Sequence, residues 1–346
     1  MSDLRHISAC VLLIVFGALA AGTPDRIQIK VDFSEAEQAL AIIGKHNGGK
    51  DITDADWNAL FATEPYRRLK KREAAMHSAF TDEDFKKFIL SPDLDSQYDA
   101  LHQTLDQWNH ADMEAAAQRA LAYLPASATV RTKVFPLIKP KHNDFVFDLD
   151  TDPAIFLYLN PANSKEAFVN AVSHEMHHIG LSSTDKIYAT AIASLPPGPR
   201  MAAKAMGAFG EGEAVLAAAG GLDVLHTKYE DLDVRENWVR GMQTFNQDLE
   251  TVNQFFLDVA RGKLTEDAAN EKAMSFFGDI QGPWYLNPAS SSLFSRRFAG
   301  ETAFCSPNLC SSRWTLTKVS SAFQAVSTRE SRKSDVYAPR IVQVPS

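Results

Sequence analysis

The segment His174–His178 reads His-Glu-Met-His-His and contains the pattern H-E-x-x-H. Residues four positions apart lie on one face of a helix, so the imidazoles of His174 and His178 can reach one zinc ion from the same side. Glu175 lies next to His174, where a carboxylate can hold a metal-bound water and accept its proton. These three residues predict metal-assisted hydrolysis of an amide bond. Because so short a pattern also occurs by chance, its context must support it.

The motif lies at the end of a predicted amphipathic helix. Asn163 followed by Glu166 has the spacing of a capping box, which predicts a helix start near residue 163. Gly180 stands where a glycine commonly ends a helix, so the helix is expected to stop there. The alternative is a surface helix that happens to carry three histidines, although clustered histidines gain nothing from this spacing without a metal.

A catalytic zinc held by two histidines needs a third protein ligand. The metzincin pattern would place Gly at 181 and His at 184, but this chain has Leu181 and Thr184, which excludes that class. A glutamate on a following helix is the other source, and Glu211 and Glu213 both occur there among small residues. Glu211 shares a face with alanines that allow close approach, so it is preferred and Glu213 is the second choice. Both could instead be solvated carboxylates at the positive end of a helix dipole.

The elements around the motif predict an α+β protein that is mainly α-helical. Residues 34–122 repeat apolar side chains every three or four positions, and another long helix is expected over about 234–260. Residues 129–138 alternate, and 145–147 and 155–159 are short apolar runs bounded by turn residues. We therefore expect a zincin-like core with a small three-stranded sheet before the H-E-x-x-H helix. An edge strand beside that helix could hold an extended peptide by strand addition.

The overall composition is that of a soluble globular protein. Hydrophobic residues make up 45% of the chain and charged residues 23%, which is ordinary for this class. The formal net charge is −8, and no basic stripe with interleaved aromatic residues occurs. These features argue against a nucleic-acid partner.

The N-terminus has the pattern of a signal peptide. A weakly basic start precedes an apolar run from Cys10 to Ala20, and Ala18-Leu19-Ala20 is an A-x-A cleavage site. Cleavage after Ala20 predicts an extracytoplasmic protein, periplasmic or secreted, without a stable membrane span. An uncleaved anchor is the alternative, although the run is short for a membrane span. Export would leave Cys305 and Cys310 in an oxidising compartment, which predicts a disulfide between them.

The same patterns divide the chain into four predicted regions. They are the signal peptide at 1–20, an N-terminal helical region at 21–125 that opens with an extended stretch, a zincin-like metal-binding core at 126–285, and a partly irregular C-terminal region at 286–346.

Beyond the motif, the chain resembles a family of bacterial secreted zinc-dependent peptidases, which is classed as a domain of unknown function and has gluzincin-like motifs. The resemblance runs from about Val31 to Tyr285. It rests on Tyr66-Arg67-Arg68-Leu69-Lys70, Tyr123-Leu124-Pro125-Ala126, Ile138-Lys139-Pro140, Phe145-Val146-Phe147, Asp152-Pro153-Ala154-Ile155-Phe156-Leu157-Tyr158, the H-E-x-x-H motif and Glu211-Gly212-x-Ala214. The resemblance implies that zinc is bound by His174, His178 and Glu211, with Glu175 as the base.

Gly282-Pro283-Trp284-Tyr285 resembles a late motif of the same family. A tyrosine at this place, Tyr285, could donate a hydrogen bond to a developing oxyanion. We would expect a helix after it, but Leu286-Asn287-Pro288 and a run of serines follow. The other interpretation, in which Tyr285 is a core aromatic residue beside a turn, therefore stays open.

These observations predict an exported zinc-dependent peptidase that acts on a peptide or protein substrate. A zinc-activated water would attack the peptide bond, with Glu175 as general base. The alternative from another class is a zincin-fold binding protein without turnover. The presence of Glu175 favours the enzyme, because a structural zinc site needs no base at that position.

Overall fold

A computed structural model describes residues 26–220, 232–278 and 282–286 of the chain. Most of these residues are helical, and four strands lie among the helices. The elements, in chain order, are β1 (Ile27–Val31), α1 (Ser34–Asn47), α2 (Asp54–Ala62), α3 (Glu64–Ala75), α4 (Asp82–Ile89), α5 (Pro92–Asn109), α6 (Met113–Leu121), β2 (Val130–Leu137), β3 (Phe145–Phe147), β4 (Ala154–Tyr158), α7 (Lys165–Ala193), α8 (Pro197–Met206), a 3-10 turn (Gly207–Phe209), α9 (Gly210–Ala219), α10 (Leu232–Ala260), α11 (Glu266–Ser275) and α12 (Pro283–Leu286).

The sheet has the strand order β1-β2-β4-β3. β1 runs parallel to β2 from Ile27 opposite Val130, and β2 runs parallel to β4. β3 is antiparallel to β4 and forms one edge of the sheet. The prediction of a three-stranded sheet is therefore one strand short, because the extended stretch near the N-terminus pairs with β2 across about a hundred residues of helices.

Helices α2 to α6 begin where a short polar side chain accepts a hydrogen bond from a first-turn backbone N–H, as expected for good N-caps. The capping residues of α2 to α6 are Thr53, Thr63, Thr81, Ser91 and Asp112. Apolar faces of these helices, of β2 and β4 and of α7 form the main hydrophobic core. Within it the rings of Trp108 and Phe168 stack with centroids 4.2 Å apart, which fixes the first turns of α7 against α5.

The helix that carries the motif, α7, is longer than predicted. It begins one residue later than expected, since Ser164 and not Asn163 is the N-cap and accepts a hydrogen bond from the Ala167 N–H at 3.1 Å. It also continues through Gly180 to Ala193, so the prediction that Gly180 ends the helix is wrong. A Cβ atom at position 180 would collide with Leu124, so the glycine gives room for a packed side chain.

The C-terminal helices form a second hydrophobic cluster. Its buried members come from α8, α10, α11 and the region of α12: Ala202, Val252, Phe255, Val259, Ala269, Phe276 and Trp284. Among the helices of the described ranges, none is long and apolar enough to cross a bilayer. The predicted signal peptide, the pair Cys305 and Cys310, and all of the C-terminal region except Leu286 lie outside the described residues.

Candidate metal centre

His174 and His178 lie one turn apart on α7 and turn their rings toward each other. Their Nε2 atoms are 3.1 Å apart, and the ring planes meet at 77°. Each side chain is about one-fifth exposed, with 21% for His174 and 20% for His178. The pair is thus held by a buried helix yet open on one side, as a site that binds both a metal and a substrate requires.

Glu211, at the start of α9, completes a group of three. Its Oε2 atom lies 3.5 Å from His174 Nε2 and 3.6 Å from His178 Nε2. The helix that follows is lined by the buried alanines Ala214, Ala217 and Ala218, and α9 packs directly on α7. Small side chains on α9 therefore let Glu211 come close to the two histidines.

The spacing of the three atoms fits a tetrahedral metal site. Ligand atoms about 2.0–2.1 Å from a tetrahedral zinc lie about 3.3 Å from one another. The distances of 3.1, 3.5 and 3.6 Å lie on either side of that value. Among the described residues, His174, His178 and Glu211 are the one group of three or more histidine, cysteine or acidic side chains that could hold a metal ion.

The electrostatics of the three residues favour an ionised carboxylate. Burial would raise the pKa of Glu211, but hydrogen bonds from His174 and His178 outweigh it and hold this pKa well below its usual range. For His178 burial acts in the opposite direction and lowers the pKa. The interaction with Glu211 outweighs this effect, so the pKa of His178 is raised. The carboxylate of Glu211 is therefore charged at neutral pH, as a metal ligand must be.

Glu213, the second choice as ligand, contacts a different histidine. Its Oε2 atom lies 3.7 Å from Nε2 of His177, whose side chain is fully buried. Neither ring nitrogen of His177 has a hydrogen-bond partner among the described residues. Of the two glutamates predicted as candidates, the structure thus brings Glu211, and not Glu213, to His174 and His178.

Glu175 follows His174 on α7 and is 8% exposed. Its negative charge contributes to raising the pKa of His178 and also that of Asp144. The charge of the predicted base thus reaches one histidine of the pair and Asp144, in the loop before β3.

Asp144 is a residue of this region that the sequence reasoning missed. It stands in the loop before β3, and its Oδ1 atom accepts a hydrogen bond of 2.8 Å from the backbone N–H of Tyr158, the last residue of β4. An acidic residue between two short strands was the available signal, but its nearness to the motif depends on how the sheet packs against α7.

Comparison with known proteins agrees with the geometry. Residues 57–286, more than half of the chain, match the family model described as "Putative zinc dependent peptidase (DUF5700)". The chain belongs to this family. No curated protein and no solved structure matches it significantly.

The family match ends at the late motif, whose tryptophan has a structural role. Trp284 is fully buried in the second hydrophobic cluster, and its Nε1 donates a hydrogen bond of 2.8 Å to the Ala273 carbonyl. Gly282 packs so closely on the backbone of residues 276–278 that a side chain has no room there. Tyr285 lies in α12, but its side chain is outside the described part of the structure.

Proposed function

We propose that this family member is an exported zinc-dependent peptidase, in which His174, His178 and Glu211 hold the metal. The observation that carries the proposal is the position of Glu211 Oε2, 3.5 and 3.6 Å from the two histidine nitrogens. Two imidazoles, one carboxylate and an open side are the donor set of a catalytic zinc site, whereas structural zinc sites are usually closed by four protein ligands.

In the proposed reaction Glu175 moves the proton. The bound zinc would supply Lewis acidity to a water and to the scissile carbonyl. The Glu175 carboxylate accepts a proton from the attacking water while the oxygen of that water forms a bond to the carbonyl carbon. The same carboxyl then gives that proton to the leaving nitrogen as the C–N bond breaks, which regenerates the Glu175 carboxylate and yields a carboxylic acid and an amine. Tyr285 is proposed to donate a hydrogen bond to the developing oxyanion.

The sheet edge beside α7 is the proposed place of the substrate backbone. β3 lies at the edge of the sheet, and both β3 and β4 contact α7. An extended peptide could add to β3 through main-chain hydrogen bonds and so pass the metal centre. We further propose that residues 1–20 direct export, which would place the peptidase outside the cytoplasm.

The deciding experiment compares Glu175→Gln with the mature wild-type protein. The variant should keep its fold and its zinc but lose peptide hydrolysis by several orders of magnitude, since the water loses its proton acceptor. Glu166→Gln makes the same change at an exposed position of α7 and should leave turnover unchanged. Digestion of a peptide library measures activity, and metal analysis measures bound zinc.

The metal arm of the experiment uses His174→Ala and His178→Ala. Each variant should lose stoichiometric zinc, because two protein ligands make a poor site. Wild-type protein that binds no divalent metal after zinc addition would refute the proposal. Stoichiometric zinc without hydrolysis of any peptide would instead favour a binding protein of the same fold.

A further inference from the structure

The loop that joins β2 to β3 leads into a strand that contacts α7, the helix of the candidate metal centre. Asp144 is its last residue, and the hydrogen bond from the Tyr158 N–H ties Asp144 to the end of β4. The side chain of Asp144 is accessible to solvent. Among the described residues its second oxygen, Oδ2, accepts no hydrogen bond, and no cation lies within ion-pair distance of the carboxylate.

The charges of the motif reach this carboxylate. The Asp144 carboxylate reaches solvent on one side, but many protein atoms lie around it. The resulting desolvation is the main reason that its pKa is raised to about 6. The hydrogen bond from Tyr158 lowers the pKa, the negative charge of Glu175 raises it, and Lys139 and His174 lower it. Asp144 therefore lies within reach of the charges of the proposed base and of a proposed metal ligand, and it is ionised at pH 7.

The loop that precedes Asp144 is held by the buried Lys139. Lys139 is 2% exposed, and its Nζ donates hydrogen bonds to the Lys141 carbonyl at 2.6 Å, to Asn143 Oδ1 at 2.8 Å and to the Asn143 carbonyl. These three bonds use all three ammonium protons. Lys139 thus shapes the loop and has no proton left with which to pair with Asp144.

The same loop contributes an aromatic surface next to Asp144. The ring of His142 stacks on that of Tyr158, with centroids 4.1 Å apart and planes at 16°. A carboxylate that keeps a free oxygen, within reach of the charge of the proposed base and beside a flat aromatic pair, is suited to bind a cationic group.

We infer, on the basis of the proposed function, that Asp144 binds a positively charged group of the substrate next to the bond that is cut. The substrates are thus peptides that carry an ammonium or guanidinium group at that point. The group is either the free amino terminus or a Lys or Arg side chain, since both present the same N–H donors.

The test measures binding to the zinc-loaded Glu175→Gln protein, which should hold peptides without cutting them. Three peptides with a C-terminal fluorophore are compared by fluorescence anisotropy: one with a free amino terminus and no Lys or Arg, its N-acetylated form, and the N-acetylated form with one Lys. At least one of the two charged peptides should bind about tenfold more tightly than the neutral one, as a charge-assisted hydrogen bond implies. The tighter of the two identifies the source of the charge.

Asp144→Asn, added to Glu175→Gln, keeps an acceptor for the Tyr158 N–H and removes the charge. It should abolish the preference and leave the neutral peptide unaffected. Asp150→Asn makes the same change at an exposed position between β3 and β4 and should change nothing. If Asp144→Asn fails to fold, the preference for the charged peptides in the Glu175→Gln protein still tests the inference. That preference should disappear at high salt.

Equal binding of all three peptides, or a preference that survives Asp144→Asn, would overturn the inference, as would failure of every peptide to bind. Failure of the proposed function has a different signature. Wild-type protein would then cut none of the peptides, whether or not Glu175→Gln protein prefers the charged ones. Hydrolysis without a charge preference would leave the peptidase in place and remove only the role of Asp144.

Discussion

His177 Nε2 lies 3.7 Å from Glu213 Oε2 in the contact between α7 and α9, next to the group formed by Glu211 with His174 and His178. Burial is the main reason that the pKa of His177 falls to about 3, and the positive charges of His178 and His174 add to it. His177 is thus neutral at neutral pH. The consecutive residues His177 and His178 therefore have different surroundings. His178 faces the candidate metal centre, whereas His177 is packed between α7 and α9.

This difference separates the two glutamates by experiment. Glu211→Ala should abolish stoichiometric zinc binding, because it removes the carboxylate that faces both histidine nitrogens. Glu213→Ala should keep zinc at one per chain, and its effect should be on thermal stability. Metal analysis and a melting curve of each purified variant provide the check. Zinc lost from Glu213→Ala but kept by Glu211→Ala would reverse the ligand assignment.

Stability should fall with pH because of a buried glutamate in α1. Glu35 is fully buried, and its Oε2 accepts a hydrogen bond of 3.0 Å from the Ile138 N–H. Burial raises the pKa of Glu35 from 4.5 to about 8, although the Ile138 N–H and the charge of Lys139 lower it. The folded state therefore keeps a proton that the unfolded chain releases above pH 4.5.

The resulting contribution to stability is complete below about pH 4.5 and is lost as the pH rises toward 8, by roughly 1.4 kcal/mol per pH unit. Glu35→Gln should flatten the dependence and stabilise the protein at pH 8. Urea unfolding at several pH values measures it. Glu37→Gln, at an exposed position of the same helix, is the control and should keep the slope. An unchanged slope in Glu35→Gln would show that other groups cause it.

A methyl group at position 282 should destabilise the C-terminal cluster. A Cβ atom on Gly282 would lie 2.6 Å from the Phe277 carbonyl carbon and 2.7 Å from the Gly278 nitrogen, both of which are backbone atoms that cannot move aside. Gly282→Ala should cost about 1–3 kcal/mol, as overpacking does. Gly207→Ala, where a Cβ atom meets nothing within 4 Å, is the matched control and should have little effect. Equal melting temperatures for the two variants would contradict the close packing.

Export and oxidation can be read from one mass measurement. If Ala20 precedes the cleavage site, the mature chain should begin at Ala21 and should contain Cys305 and Cys310 as its remaining cysteines. These two should form an intramolecular disulfide of modest stabilising effect, since the loop between them is short. Intact mass before and after alkylation of exported protein tests both points. A mass that retains residues 1–20 would indicate an anchored protein, and two alkylated thiols would exclude the disulfide.

Much of the site could be predicted because its information is local. The spacing of His174 and His178 depends only on helix geometry, and the small residues after Glu211 indicate a helix that can pack closely on another. Helical periodicity likewise predicted a helical region over 34–122, and the alternating and apolar runs predicted β2, β3 and β4. Such patterns depend on which face of an element is buried, and a short window of sequence contains that information.

The features that could not be predicted depend on distant parts of the chain. Gly180 resembles a helix end, but packing against Leu124 overrides that preference. β1 gains its place in the sheet only by pairing with β2, far along the chain. Asp144 comes within reach of the charge of Glu175 only when β3 packs on α7. Each of these outcomes is set by tertiary contacts that no local pattern records.

The continuity of α7 through Gly180 has a mechanical consequence. The proposed metal ligands His174 and His178 and the residue that ends the helix, Ala193, belong to one rod, whose C-terminal part contacts α8. A bend at Gly180 would have let the C-terminal helices move independently of the histidines. Without one, a force that α8 exerts on the C-terminal part of α7 acts on the same continuous helix that carries both imidazoles. The orientation of the candidate metal centre is therefore coupled, through one helix, to that of the C-terminal cluster.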